Sequence, residues 1–201
     1  MRRWWETLGR TEQVAAVGIA VTLIVGIVAA APNYVELAQD GPTATTVTTT
    51  TTQPVLPFPT REERDLLAHL PKEWRAQCQR YRLDQVGERA ALACDPSGGA
   101  TKAWYIAFDS ASNMYQWYFG VTDSQSISRN SGNCEKDQVA ESTYRNTKNA
   151  TVGHLACWRE GQKSWIIWAH EGLHIGASAY RNDLNDRDLF NWWNSAGPLA
   201  R

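Results

Sequence analysis

The chain has almost no net charge. Its 20 Lys and Arg face 21 Asp and Glu over 201 residues, a formal −1. That balance excludes a basic nucleic-acid binder and an acidic disordered tail as starting readings. Closely spaced cysteines are also absent. Cys78, Cys94, Cys134 and Cys157 contain no Cys-x-x-Cys step, and a zinc site needs such clustering. No Gly-x-Ser-x-Gly elbow occurs, so a hydrolase nucleophile of that kind is missing. Asp183, Asp186 and Asp188 lack the glycine and terminal Glu of a calcium loop; the last two read as first-turn helix charges. Aromatic rings are not scarce. Ten Trp and seven Tyr argue against a disordered chain, because such rings are costly to leave in water.

One long stretch lacks charge altogether. Val14 to Ala31 reads VAAVGIAVTLIVGIVAAA. As a helix it rises roughly 27 Å, close to the hydrocarbon thickness of about 30 Å. Trp4 and Trp5 suit an interface, with Arg2, Arg3 and Arg10 on the cytoplasmic side. The expectation is a cytoplasmic segment 1–13, a transmembrane helix 14–31, and everything after it outside the cytoplasm. A cleaved signal peptide competes, with Ala29-Ala30-Ala31 as the cleavage box, but Pro32 after the cut disfavours it. Gly18, Thr22 and Gly26 recur on one helix face, a spacing that permits self-association between spans.

Residues 32–60 change character. Thr43 to Thr52 reads TATTVTTTTT, with Pro42, Pro54, Pro57 and Pro59 around it. Such a segment buries too little apolar surface to offset its ordering entropy, so it reads as a disordered Thr/Pro linker.

Residues 61–198 read as one extracytoplasmic domain with two disulfides, since an even cysteine count outside the cytoplasm implies bridges. Internal similarity chooses among the three connectivities. Cys78 precedes the strand ERAALAC ending at Cys94, a turn and KAWYIAF. Cys134 precedes TVGHLAC ending at Cys157, a turn and SWIIWAH. A degenerate duplication of this kind pairs Cys78 with Cys94 and Cys134 with Cys157.

Turn and cap chemistry supply the elements. Thr60 and Glu63 form a capping box for a helix with Leu66, Leu67 and Leu70 inward. Pro71 opens a second helix to about Gln79 with Trp74 inward. Strands follow at Ala90–Cys94 and Thr101–Phe108. A helix capped by Asp109 or Ser110 carries Met114, Trp117, Tyr118 and Val121 on one face. Strands at Thr151–Arg159, Lys163–Ala169 and His174–Arg181 precede a last helix, Asp186 to Ser195. The expected class is α+β: an antiparallel sheet of about five strands, helices on one face, pseudo-duplicated.

The order of cysteines, the Met114-Tyr115 helix, Gly153, Trp165, Trp168 and the closing Trp192-Trp193 helix before Gly197-Pro198 resembles the extracytoplasmic C-terminal region of actinobacterial Ser/Thr protein kinases and related orphan membrane proteins. The stalk and single span are similar too. No kinase domain precedes the span: glycine-rich loop, His-Arg-Asp and Asp-Phe-Gly are all missing. The resemblance therefore implies a sensor-like or binding module at the cell envelope, without phosphoryl transfer.

Two candidate sites remain. His170-Glu171-Gly172-Leu173-His174 is the His-Glu-x-x-His pattern of zinc hydrolases. The chemistry needs a helix, so that both imidazoles face one metal. The β-run Trp165-Ile166-Ile167-Trp168 before it and Gly172 within it favour a hairpin turn with two surface histidines. Trp104, Trp158, Trp165 and Trp168 are the second candidate, a ligand face of rings on strands; core packing is the favoured reading, because a disulfide-pinned domain of this size uses Trp mostly as core and alternation sends Trp165 and Trp168 to opposite faces. The expectation is a non-enzymatic protein with no cofactor and no metal, spanning the membrane once and binding an envelope ligand or protein partner.

Overall fold

The structure, a computed structural model, describes residues 57–146, 148–196 and 199. The expected cytoplasmic segment, membrane helix and nearly all of the linker lie outside the described residues. Among the described residues no helix is long and apolar enough to cross a membrane.

Helix α1 (Arg61–Ala68) starts where the capping box predicts. The Glu63 amide donates to Thr60 Oγ1, and the Thr60 amide donates to the Glu63 carboxylate. The short α2 (Lys72–Arg75) follows Pro71 and buries Trp74. Then come β1 (Cys78–Arg80), β2 (Glu88–Cys94), β3 (Lys102–Phe108), α3 (Ala111–Ser124), β4 (Ala140–Arg145), β5 (Thr151–Glu160), β6 (Lys163–His170), β7 (Ile175–Arg181) and α4 (Asp186–Ala196). The seven strands form one antiparallel sheet in the order β1-β2-β3-β7-β6-β5-β4.

Two strands exceed the five expected, and both are edges. β1 is three residues, Cys-Gln-Arg, too short to show a period, and its first two residues were expected to end a helix. β4 reads AESTYR and is mostly polar, so its alternation is weak. Edge strands often look like this, because one side of their backbone meets no neighbour.

Both disulfides form as the duplication pairs them, and each pins an edge. Cys78 lies directly opposite Cys94, tying β1 to β2. Cys134–Cys157 ties the segment before β4 to β5. The hairpins β2–β3 and β5–β6 lie on either side of β7.

Helices cover both faces of the sheet, not one. On the first face Leu66, Leu70 and Trp74 join Trp192 and Trp193 of α4 over Leu92, Tyr105, Ile166, Trp168 and Ala177. On the second face α3 crosses the sheet, with Trp117 pressed against Gly176. A Cβ at Gly176 would sit 2.4 Å from the Trp117 ring, so the close approach needs glycine. The pattern that revealed α3 carries no information on which face receives it. The route from β3 to the far edge strand β4 decides that.

Candidate functional site

The chemistry-bearing side chains gather under α3. Its N-cap is Ser110, whose hydroxyl accepts the Asn113 amide at 3.3 Å. From that start Met114, Trp117, Tyr118 and Val121 point into the sheet as expected, all buried. Tyr115 and Phe119, four residues apart, stack at 5.6 Å on the flank of the helix and stay half-buried.

Beneath that flank lies His154 of β5. It alternates with Ala156 and Trp158, so it faces α3. Its ring meets Tyr115 at 5.5 Å, Tyr118 at 5.7 Å and Phe119 at 5.3 Å. Glu141 of β4 projects from the same face. Its pairing opposite Ala156 sets it diagonally beside His154.

Glu141 is completely buried, which is expensive for a carboxylate unless donors surround it. They do. His154 Nδ1 lies 2.6 Å from Oε1, the Tyr118 hydroxyl donates to Oε1 at 3.3 Å, and the Asn130 amide donates to Oε2 at 2.6 Å. With both oxygens already accepting, the imidazole Nδ1 is the donor in this contact. His154 keeps 22% of its side chain exposed. Burial first, and then the Glu141 charge, push the Tyr118 phenol far above its ordinary range, so it stays a neutral donor.

The segment before β4 closes the site. Asn130 supplies its amide, and Ser131 Oγ accepts the Glu141 amide at 3.1 Å. Cys134–Cys157 anchors this segment from the other side. Arg129, exposed, lays its guanidinium 3.9 Å over the Phe119 ring. It has no acidic partner among the described residues. Tyr115, in turn, lies close enough to Glu171 to feel its charge. Burial and then that carboxylate push the Tyr115 phenol up to about 12. Glu171 forms one wall of an apolar cleft of about 530 Å³ that Val152 and Leu173 also line.

The His-Glu-x-x-His string does not form the helix that the zinc pattern needs. β6 ends at His170, residues Glu171–Leu173 make a single 3₁₀ turn, and His174 adopts φ 52°. The two imidazoles therefore do not stack one α-turn apart. The turn is the one expected, but His170 is buried where a surface residue was expected. Among the described residues no group of three or more His, Cys, Asp or Glu is placed to hold a metal.

The chain matches no protein-family model, no curated protein and no solved structure. What the site can do rests on its own geometry.

The four tryptophans divide as alternation requires. Trp104, Trp158 and Trp165 lie on the α3 face, with Trp158 and Trp165 stacked at 5.8 Å and Trp104 6.1 Å from Trp165. Trp168 lies on the opposite face against Trp192 and Tyr105. All four are buried, so they are packed interior and present no common stacking platform. A second cleft of about 780 Å³ runs between the Cys134–Gln138 segment and the start of α4. Ion pairs bridge the charges at its rim, Arg159 to Asp186 and Arg181 to Asp183.

Sequence reasoning missed Glu141, His154 and Arg129. The only available signal was a histidine in an otherwise apolar strand, Val152-Gly153-His154-Leu155-Ala156. Its partner stands on a strand that the pattern did not reveal.

Proposed function

We propose that the chain is a single-pass membrane protein presenting a sensor-like, ligand-binding domain outside the cytoplasm at the cell envelope, without catalysis of its own. The observation that carries the binding reading is the fully buried Glu141 holding a partly open His154 among three aromatic rings. A buried carboxylate costs several kcal/mol to desolvate. Here its hydrogen bonds orient a partly exposed imidazole, which is how a protein preorganises a recognition group.

Two disulfides support the location, because such bridges persist in oxidising compartments. The apolar run 14–31 and the Thr/Pro stretch 32–60 support an anchored domain held off the bilayer. Similarity to the extracytoplasmic part of actinobacterial Ser/Thr kinases fits the same arrangement, with Gly18, Thr22 and Gly26 as the face for self-association.

A topology reporter tests this reading. Alkaline phosphatase, active only outside the cytoplasm, is fused after Arg201 of the full chain; β-galactosidase, active only inside, is fused in parallel. The phosphatase fusion is expected to be active and the galactosidase fusion silent. The reverse pattern would overturn the proposal.

A further inference from the structure

We infer that the cleft at the β6–β7 turn is a binding site for a small organic cation, an ammonium group on a short apolar body. The inference goes beyond the Glu141–His154 cluster and does not depend on it. The cleft holds about 530 Å³ and is lined by Thr151, Val152, His170, Glu171, Gly172 and Leu173, a volume in the range of small-molecule sites. Its frame is fixed before any ligand arrives. The His174 amide closes the 3₁₀ turn Glu171–Leu173 by donating to the Glu171 carbonyl at 3.2 Å. The His174 carbonyl accepts the Phe108 amide at 2.9 Å, which ties the turn to the end of β3. On the other side Gly153 stands opposite His170, the last residue of β6. A Cβ there would sit 1.7 Å from the Ala169 carbonyl oxygen, so the two strands lie tight together at this end. Thr151 and Val152 therefore run on past the end of β6 and flank the turn. A frame held in this way loses little freedom on binding.

The lining sets the chemistry of the occupant. It carries one carboxylate, Glu171, and no Lys or Arg. Glu171 is exposed, and no Lys or Arg forms an ion pair with it among the described residues. Tyr115, whose phenol burial and then this carboxylate push up to about 12, keeps its proton at neutral pH and cancels none of the charge. Buried Val152 and half-buried Leu173 supply apolar wall, and Thr151 adds a hydroxyl. Gly172 leaves the interior open, since a Cβ there would meet only the His170 Cε1 atom, at 3.8 Å. A bare metal ion needs several hard donors, and no group of three or more His, Cys, Asp or Glu is placed to hold one among the described residues. An anion would be repelled by Glu171. A small ammonium compound satisfies both features: its body lies against Val152 and Leu173, and its N–H groups donate to the Glu171 carboxylate.

Amide spectra of the full chain in detergent micelles, at neutral pH and low salt, test the inference. The probes are n-butylammonium, n-butanol and butyrate, which share a short chain and differ in charge. Butylammonium is expected to shift the amides of Thr151, Val152 and Glu171–Leu173 saturably. Butanol is expected to bind at least roughly tenfold more weakly, the fold-change of about 1.4 kcal/mol, and butyrate to give no saturable shift. Glu171→Gln is expected to abolish the preference for the ammonium over the alcohol. Because Glu171 is exposed, the remaining amides of that variant should keep their native positions. Gly172→Leu has room for its Cβ and fills the cleft from within the turn, so it is expected to remove binding of all three probes. Equal affinity for butylammonium and butanol in the native chain would overturn the inference, whatever the variants do. So would the absence of any saturable shift, a preference that survives Glu171→Gln, or native affinity in Gly172→Leu.

Discussion

Replacing Glu141 by Leu removes the acceptor on which three donors converge, and the three do not suffer equally. Tyr118 is fully buried, so its hydroxyl finds no water, and an unmet buried donor costs about 1–3 kcal/mol. His154 Nδ1–H is the second orphan, relieved in part because the ring is 22% exposed. The amide of Asn130, an exposed residue, can turn to solvent. The expected loss for Glu141→Leu is about 2–4 kcal/mol. Glu141→Gln keeps one acceptor oxygen and turns an NH₂ toward a donor, so it should cost about 1–2 kcal/mol. Guanidinium denaturation followed by tryptophan fluorescence measures both, with an unchanged slope marking a true stability effect. Adding Tyr118→Phe to Glu141→Leu removes one orphan. The double variant should therefore regain about 1 kcal/mol, where independent sites would simply add their losses. A Glu141→Leu variant within about 0.5 kcal/mol of the native chain would refute the reasoning, because that is the range of an ordinary surface change.

Gly153→Ala should be poorly tolerated, since its Cβ would lie 1.7 Å from the Ala169 carbonyl oxygen, which is backbone and cannot rotate away; a loss of about 3 kcal/mol or more is expected in the same denaturation assay, and a neutral result would mean the β5–β6 pairing is wrong. Glu63 is held below the usual carboxylate range, chiefly by its hydrogen bond to Arg80. The stability it lends is present above the unfolded pKa of about 4.3 and is lost as pH falls through the lower folded value. Arg80→Ala should therefore separate from the native chain most at neutral pH and converge with it in acid; a gap that persists unchanged below pH about 3 would contradict the pairing. For Tyr115, burial and Glu171 raise the folded pKa to about 12, so stability should decline as pH rises from about 10 toward that value, and Glu171→Gln should reduce only the smaller part of the shift in a phenol absorbance titration. Cys134→Ala with Cys157→Ala opens a loop with a sequence separation of 23 residues, worth about 3 kcal/mol in the loop-entropy model. It should also free the Asn130–Ser131 segment, seen as faster exchange of the Asn130 amide. Exchange as slow as in the intact chain would show that the bridge does not secure the site.

Local chemistry was readable wherever a residue acts on its own neighbours. Thr60 and Glu63 announced α1, Ser110 was one of two caps considered for α3, and the Leu-Ala-Cys repeats announced both bridges. Their spacing of three along one strand was enough to place Trp165 and Trp168 on opposite faces. A residue's own strand or helix period suffices for such statements, because the period is a property of the local backbone. β1 and β4 escaped because an edge strand of three residues, or one that is mostly polar, has little period to read. Burial of the four tryptophans was the favoured expectation, but which element covers which ring depends on what crosses above them.

The sequence by itself determined the central strands, the helices, the disulfide pairing and the turn at His170–His174, all of which follow from spacing along the chain. Only the tertiary structure decided that α3 takes the face opposite α1 and α4. Only it brought Glu141, His154, Phe119 and Arg129 together from β4, β5, α3 and the segment between α3 and β4. No local pattern can encode that meeting. It is fixed by strand register and by the path from β3 across the sheet to the far edge, and a one-residue slip of β4 would turn Glu141 to the other face.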